Sequence, residues 1–219
     1  PMLVAVYLSF TDTDLSQPPS TPVQMVGTAN YQTVLQSTDF WEAVYTTVVI
    51  VVPALVLEMG IGLAIALWLW RPLRARGLLR GITLLPYLLV PVVIGNFFRM
   101  FYSADFGQLN YYLSFLGIPS HSWLTDPNTV RWTVVAMETW HTVPFVALLC
   151  LAGLSGIPKD PIEAAVVDGA NAWQRFRYVV FPSLLPILGA VLALRAMDAI
   201  QLFDEVYVLT GGGPGRLTS

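Results

Sequence analysis

The sequence predicts an all-α, polytopic membrane protein, and three observations point to that class. Of 219 residues, 55% are hydrophobic and only 11% charged, where a soluble domain of this size carries about 25% charged residues. Mean hydropathy is +0.63. Four apolar runs, about 43–70, 82–101, 132–154 and 183–206, each reach the roughly 20 residues a helix needs to cross a bilayer. Finally, seven of the eleven Lys and Arg residues fall in two short segments between those runs.

Taken in chain order, residues 2–10 (MLVAVYLSF) are apolar but too short to span. They read as the outer end of a longer helix, and the absence of a basic start argues against a cleaved signal peptide. Residues 11–42 hold no Lys or Arg and are rich in Ser, Thr, Pro and Asp, a turn-laden surface stretch. The run 43–70 would be about 42 Å long as a helix, so it must tilt or protrude. Residues 71–81 (RPLRARGLLRG) hold four Arg. The run 82–101 is expected to be the second span, with Arg99 snorkelling near its outer end. In 102–131 the only basic residue is Arg131, and FGQLNYYLSFLGI (106–118) has apolar residues at helical spacing, as for a surface helix. The spans 132–154 and 183–206 flank a polar loop, 155–182, and the chain closes on GGGPGRLTS. By the positive-inside rule 71–81 and 155–182 face the cytoplasm. We read 1–219 as one transmembrane domain, expected to be a piece of a longer polytopic protein.

Several chemistries find no support. A single cysteine, Cys150, allows no internal disulfide, and with only His121 and His141 a zinc cage of His and Cys ligands is not expected. GGGPGRLT lacks the GxxxxGK[ST] phosphate loop. No Ser/His/Asp triad, HExxH or paired metal acids occur at usable spacing, so the chain is read as neither an enzyme nor a cofactor carrier, and no nucleic-acid partner is expected.

The loop IPKDPIEAAVVDGANAWQRFRY (157–178) contains six charged residues. Asp160-Pro161-Ile162-Glu163 reads as a helix start, with Asp160 as cap and Pro161 in the first position. The helix should stop near Asp168, with Gly169 in a left-handed conformation. Asn171-Ala-Trp-Gln174 should open a second helix lasting to about Pro182. Glu163-Ala164-Ala165, Gly169 and Val179-Val180-Phe181-Pro182 resemble the signature of the transmembrane subunits of binding-protein-dependent ABC importers: EAA, three residues, Gly, nine residues, Ile-x-Leu-Pro. Val for Ile and Phe for Leu depart from it while remaining apolar. VGTANY (26–31), TWHTVPF (139–145), LSGIP (154–158) and FDEVYVLTGGGP (203–214) extend the resemblance to the sugar-importing branch, similar to the maltose permease.

The resemblance implies a type I importer transmembrane domain with a six-helix core, its first and last helices truncated or absent here. It also implies that 155–182 is a cytoplasmic coupling loop within the domain. Glu163, Ala164, Ala165, Asp168 and Gly169 would dock on a cytoplasmic ATP-binding subunit. The implied partners are two such subunits carrying ATP and magnesium, a second homologous permease, an extracytoplasmic solute-binding protein and the lipid bilayer.

Ionisable residues inside apolar spans are functional candidates. Glu138, His141, Thr142 and Phe145 share one helix face at i, i+3, i+4, i+7, as do Arg195, Asp198, Ala199 and Leu202. By resemblance both faces lie over sugar-contacting positions. A carboxylate, a hydroxyl and an aromatic ring suit a sugar. An Arg195–Asp198 pair that only holds helices together is the competing reading, and for Glu58 pairing with a neighbouring helix is preferred. At the level of the whole protein, an ion-driven secondary transporter using Glu58 and Glu138, or a structural subunit without solute contacts, stays open.

Overall fold

A computed structural model describes residues 2–13, 23–72, 74–200, 204–214 and 218. The described residues form helices and turns, with one isolated β-bridge between Thr11 and Met25. The chain divides into two compact units, residues 1–45 and 46–219.

In the first unit, α1 (Met2–Leu8) and α2 (Ala29–Gln36) flank the bridge. The VGTANY stretch explains the joint. Asn30 at the start of α2 donates from its side-chain amide to the carbonyls of Ser9 (3.0 Å) and Thr11 (2.8 Å). Tyr31 packs on Phe10 with ring centroids 5.5 Å apart.

The second unit holds most of α3 (Thr38–Trp70), followed by α4 (Arg76–Leu84), α5 (Pro91–Phe101), α6 (Gln108–Ser114), α7 (Val130–Ser155), α8 (Asp160–Val167), α9 (Ala172–Arg175), α10 (Phe181–Ile200) and α11 (Asp204–Thr210). Among the described residues three helices are long and apolar enough to cross a membrane: Thr38–Trp70, Val130–Ser155 and the continuous Ala172–Ile200. The expected span at 82–101 is not one helix. Pro86 opens a short 3₁₀ turn, Pro86–Leu88, and Val90 is extended (φ −69°, ψ 138°) before Pro91 starts α5. Proline lacks an N–H and pushes the residue before it out of the helical region, so two prolines five apart divide the run. Within 106–118, where a helix was expected, lies α6.

The helix opened by Asn171 also departs from expectation. Instead of stopping near Pro182 it passes through a π-helical turn, Phe176–Val180, straight into α10. The wider turn, closed by the Phe181 N–H to the Phe176 carbonyl, gives the ring of Pro182 room where an α-turn would crowd it.

Seventy-two per cent of the most apolar window of α7 is buried, against 22% in each of the other two long helices. That makes α7 the central element, while α3 and α10 turn much of their apolar surface outward. Its core lies in two clusters. One joins Ile50 and Ala54 of α3, Ile94 and Phe98 of α5, Val134 and Met137 of α7, and Val206 and Leu209 of α11. The other joins Ala66 and Leu69, Val146, Cys150 and Leu154, and Val180, Leu184 and Val191, nearest the α8 loop. Close approach of α3 to α7 needs Gly62: a Cβ there would lie 2.6 Å from Val146 Cγ1. Small residues at such crossings are the membrane-helix solution for tight packing. Between the clusters sits a polar layer.

Candidate functional site

Arg195 of α10 organises that layer. Its Nε donates to Glu58 Oε2 at 3.0 Å and its Nη2 to Glu58 Oε1 at 3.3 Å, a two-pronged contact with α3. Nη2 also donates to Glu138 Oε1 on α7 at 2.8 Å, and Nη1 to Asp198 Oδ2 at 3.3 Å. The Thr142 hydroxyl sits among Glu58 Oε1 (3.1 Å), Glu138 Oε1 (3.3 Å) and the Glu138 carbonyl. The side chains of Arg195, Glu58 and Glu138 are 4%, 0% and 4% exposed, whereas that of Asp198 is 59% exposed. One guanidinium therefore ties three helices together through buried, hydrogen-bonded carboxylates. Removing water strengthens each of these contacts and raises the cost of leaving any partner unpaired.

Each position follows from local spacing. Glu138 and Thr142 are one turn apart on α7 and Arg195 and Asp198 one turn apart on α10, so each pair presents a single face. The expected Arg195–Asp198 pair is present, but it is the outer arm of a larger network. The expected pairing of Glu58 with a neighbouring helix is its contact with Arg195.

The remaining predicted residues make other contacts. Phe145 stacks on Tyr87, with ring centroids 4.7 Å apart and planes 13° apart. His141 lies beside the same Tyr87 ring at 5.8 Å, and its Nδ1 is 3.8 Å from Glu205 Oε1 on α11. Ala199 is buried and lines a cavity of about 420 Å³ with Thr46, Thr47, Ile50 and Tyr207. Leu202 lies outside the described residues. A larger cleft, about 870 Å³, is lined by Asn96, Arg99, Tyr102, Ser103, Trp123 and Tyr207 among others. Sequence reasoning missed Tyr87 and Glu205. Tyr87 lay in a run read as one helix. Glu205 lay at the end of another, in the quoted FDEVYVLTGGGP motif, where nothing in the spacing linked it to α7.

At the polar loop, α8 starts at Asp160 with Lys159 in the capping position and no side-chain cap bond, so the expected Asp160 cap is displaced by one residue. Pro161 in the first turn accounts for the shift, since Lys159 already accepts from the N–H groups of Ile162 and Glu163 at 2.9 Å. Gly169 has φ +78°, the left-handed helix stop expected. The second start is as read: Gln174 N–H donates to Asn171 Oδ1 at 2.9 Å and Asn171 N–H to Gln174 Oε1 at 2.8 Å. Ile162 packs on the nearer core cluster, while Glu163, Ala164, Asp168 and Gly169 are exposed and Ala165 is half-buried. Val167 and Trp173, 86% and 67% exposed, add an apolar surface beside them.

Residues 44–219 match the family described as binding-protein-dependent transport system inner membrane component. The trehalose/maltose transport system permease protein MalF of Thermococcus litoralis is 39% identical over 194 residues, covering 89% of this chain and 66% of that protein. The trehalose transport system permease protein SugA of Mycobacterium tuberculosis is 37% identical over 212 residues, 97% of this chain and 67% of that one. The chain thus spans about two thirds of the length of these curated relatives. Among solved structures, a bacterial ABC transporter that imports the acidic polysaccharide alginate superposes with a TM-score of 0.81 at 22% identity, over 99% of this chain and 72% of that chain. At that identity the likeness is one of fold, and it is the importer transmembrane fold that the EAA loop led us to expect. This chain belongs to the family of membrane permease components of binding-protein-dependent ABC importers.

Proposed function

We propose that the chain forms part of the translocation path for a sugar or a related polyhydroxylated solute, delivered by an extracytoplasmic binding protein. ATP and magnesium act on two separate cytoplasmic subunits, and a second, homologous permease completes the path. The observation that carries the coupling is the build of the α8 loop. Ile162 anchors it in the core next to α10, and the opposite side offers Glu163, Ala164, Asp168 and Gly169 to a partner. Small side chains beside one carboxylate let a second protein surface come close, and a helix pinned by a capped neighbour transmits displacement rather than absorbing it. Residues 155–182 are then the coupling loop, on the cytoplasmic side that the arginine distribution favours.

For the solute, the trehalose and maltose permeases among the relatives support a sugar. A cavity of about 420 Å³ falls in the range of small-ligand sites. Threonine hydroxyls and a tyrosine ring on its wall suit a hydroxyl-rich molecule. Of the residues expected to contact solute, Ala199 lines this cavity, Asp198 is accessible, and His141 and Phe145 form an aromatic group with Tyr87. Glu138, Thr142 and Arg195 face one another, so their first role is to hold α3, α7 and α10 in register, and solute would reach them when those helices part.

The test is Gly169→Pro in the assembled importer. Left-handed backbone is inaccessible to proline, which fixes φ near −65°, so the loop should lose its shape. Uptake should fall to background while solute capture by the separate binding protein is unchanged, and crosslinks from 160–170 to the ATP-binding partner should disappear. Normal uptake by this variant would exclude the docking role.

A further inference from the structure

Beside the Arg195 hub, α7 and α11 bring together a second group. A carboxylate oxygen of Glu138, a ring nitrogen of His141 and a carboxylate oxygen of Glu205 all lie within 4.8 Å of one another. The three residues are 3%, 8% and 9% exposed. They do not satisfy each other. His141 Nδ1 and Glu205 Oε1 are 3.8 Å apart, beyond hydrogen-bonding distance. Glu138 engages Arg195 and Thr142 through Oε1, while its Oε2 is buried without a hydrogen-bond partner.

Charge points the same way. Among the described residues the buried carboxylates are Glu58, Glu138 and Glu205, and the buried guanidinium of Arg195 takes both oxygens of Glu58 and one of Glu138. Buried charge in an apolar setting is either paired or coordinates a metal. The same carboxylate that keeps an oxygen without a partner thus stands in a cluster with an imidazole and a second carboxylate.

We propose that Glu138, His141 and Glu205 bind one divalent transition-metal cation of the zinc or manganese class, clamping α11 to α7. Glu138 and His141 stand at i, i+3 on one helix face, a spacing that aims a carboxylate and an imidazole at a common point. Two carboxylate oxygens and one imidazole nitrogen suit Zn²⁺ or Mn²⁺, whereas Mg²⁺ and Ca²⁺ prefer all-oxygen shells with more ligands. With no pair more than 4.8 Å apart, an ion at the centre lies within about 2.8 Å of each atom, so shifts of ~0.7 Å reach the bond lengths of zinc. The salt bridge from Arg195 to Glu138 Oε1 holds that carboxylate in place, as second-layer hydrogen bonds do for metal ligands. The clamp is independent of the sugar reading, although it uses two residues of the same α7 face.

The experiment uses the purified importer complex in detergent, stripped with chelator and free of nucleotide. It is dialysed against Zn²⁺, Mn²⁺ or Mg²⁺, and retained metal is measured by atomic absorption. Wild type should retain one zinc or manganese ion per copy of this chain in preference to magnesium. Glu205→Gln and His141→Gln should each weaken retention by at least about tenfold, and His121→Ala, whose ring pairs with Asp126 at 3.0 Å in a separate loop, should leave it unchanged. Because a ligand variant can fail to fold, the wild-type complex is also loaded with Co²⁺. An intensified visible band of low-coordinate cobalt supports the site, and an aquo-like spectrum overturns it. Absence of retention in wild type, or equal retention in Glu205→Gln, also overturns it. Neither readout depends on uptake, so failure here leaves the transport reading standing.

Discussion

Replacing Arg195 by methionine isolates what the polar layer contributes. The substitution keeps most of the stem volume and removes the donors that reach Glu58 at 3.0 and 3.3 Å and Glu138 at 2.8 Å. Both carboxylates are then left buried without a cation. Removing one partner of a buried pair costs about 3–5 kcal/mol, which for a chain of this size lowers the melting temperature by roughly 6–20 °C. Asp198 adds little to that sum because its carboxylate is largely exposed. The companion is the triple variant Glu58→Leu, Glu138→Leu, Arg195→Met, in which the whole network becomes apolar. Since desolvation of the ions offsets most of their attraction, the triple variant should melt within a few degrees of wild type or above it. The assay is tryptophan fluorescence of the purified complex on heating, with size-exclusion to score assembly. If Arg195→Met melts within about 2 °C of wild type, or if the triple variant is worse than Arg195→Met alone, the idea of a buried hub holding three helices fails.

Asp198→Ala should change stability by less than about 1 kcal/mol, because the pair it breaks is solvent-screened, yet raise the solute concentration needed for half-maximal uptake; the thermal melt checks the first and concentration-dependent transport in vesicles the second. Gly62→Ala should destabilise by about 1–3 kcal/mol, read by the same melt, since its new Cβ would sit 2.6 Å from Val146 Cγ1. Asn171→Ala removes one bond of a reciprocal cap and should cost about 1 kcal/mol locally, seen as faster amide exchange at 172–175 with the spanning helices unaffected.

Much of this was legible in the sequence because membrane helices are specified by local composition. The runs at 43–70, 132–154 and 183–206 each gave a long helix, and the Asn171–Gln174 cap and the Gly169 stop were written in contiguous residues. The run at 82–101 misled, since hydropathy outweighed Pro86 and Pro91 in the reading although both prolines were in plain view. Arg195–Asp198 was readable at i, i+3. Its main partner, Glu58, is 137 residues away, and nothing short of helix packing could name it. Glu205 was hidden for the same reason. Spacing along one helix reveals a shared face, whereas convergence of α3, α7, α10 and α11 depends on how closely small residues such as Gly62 let them approach.

The π turn at Phe176–Val180 also sets the rotational phase of everything that follows it. In a helix each residue advances the side chain by about 100°, so deleting a single residue from this turn would swing Arg195 about a quarter of the way round α10. The guanidinium would then leave the face that meets Glu58 and Glu138, and both buried carboxylates would lose their cation. One wide loop of backbone next to the α8 loop thus serves as the angular setting of a charge held several turns away.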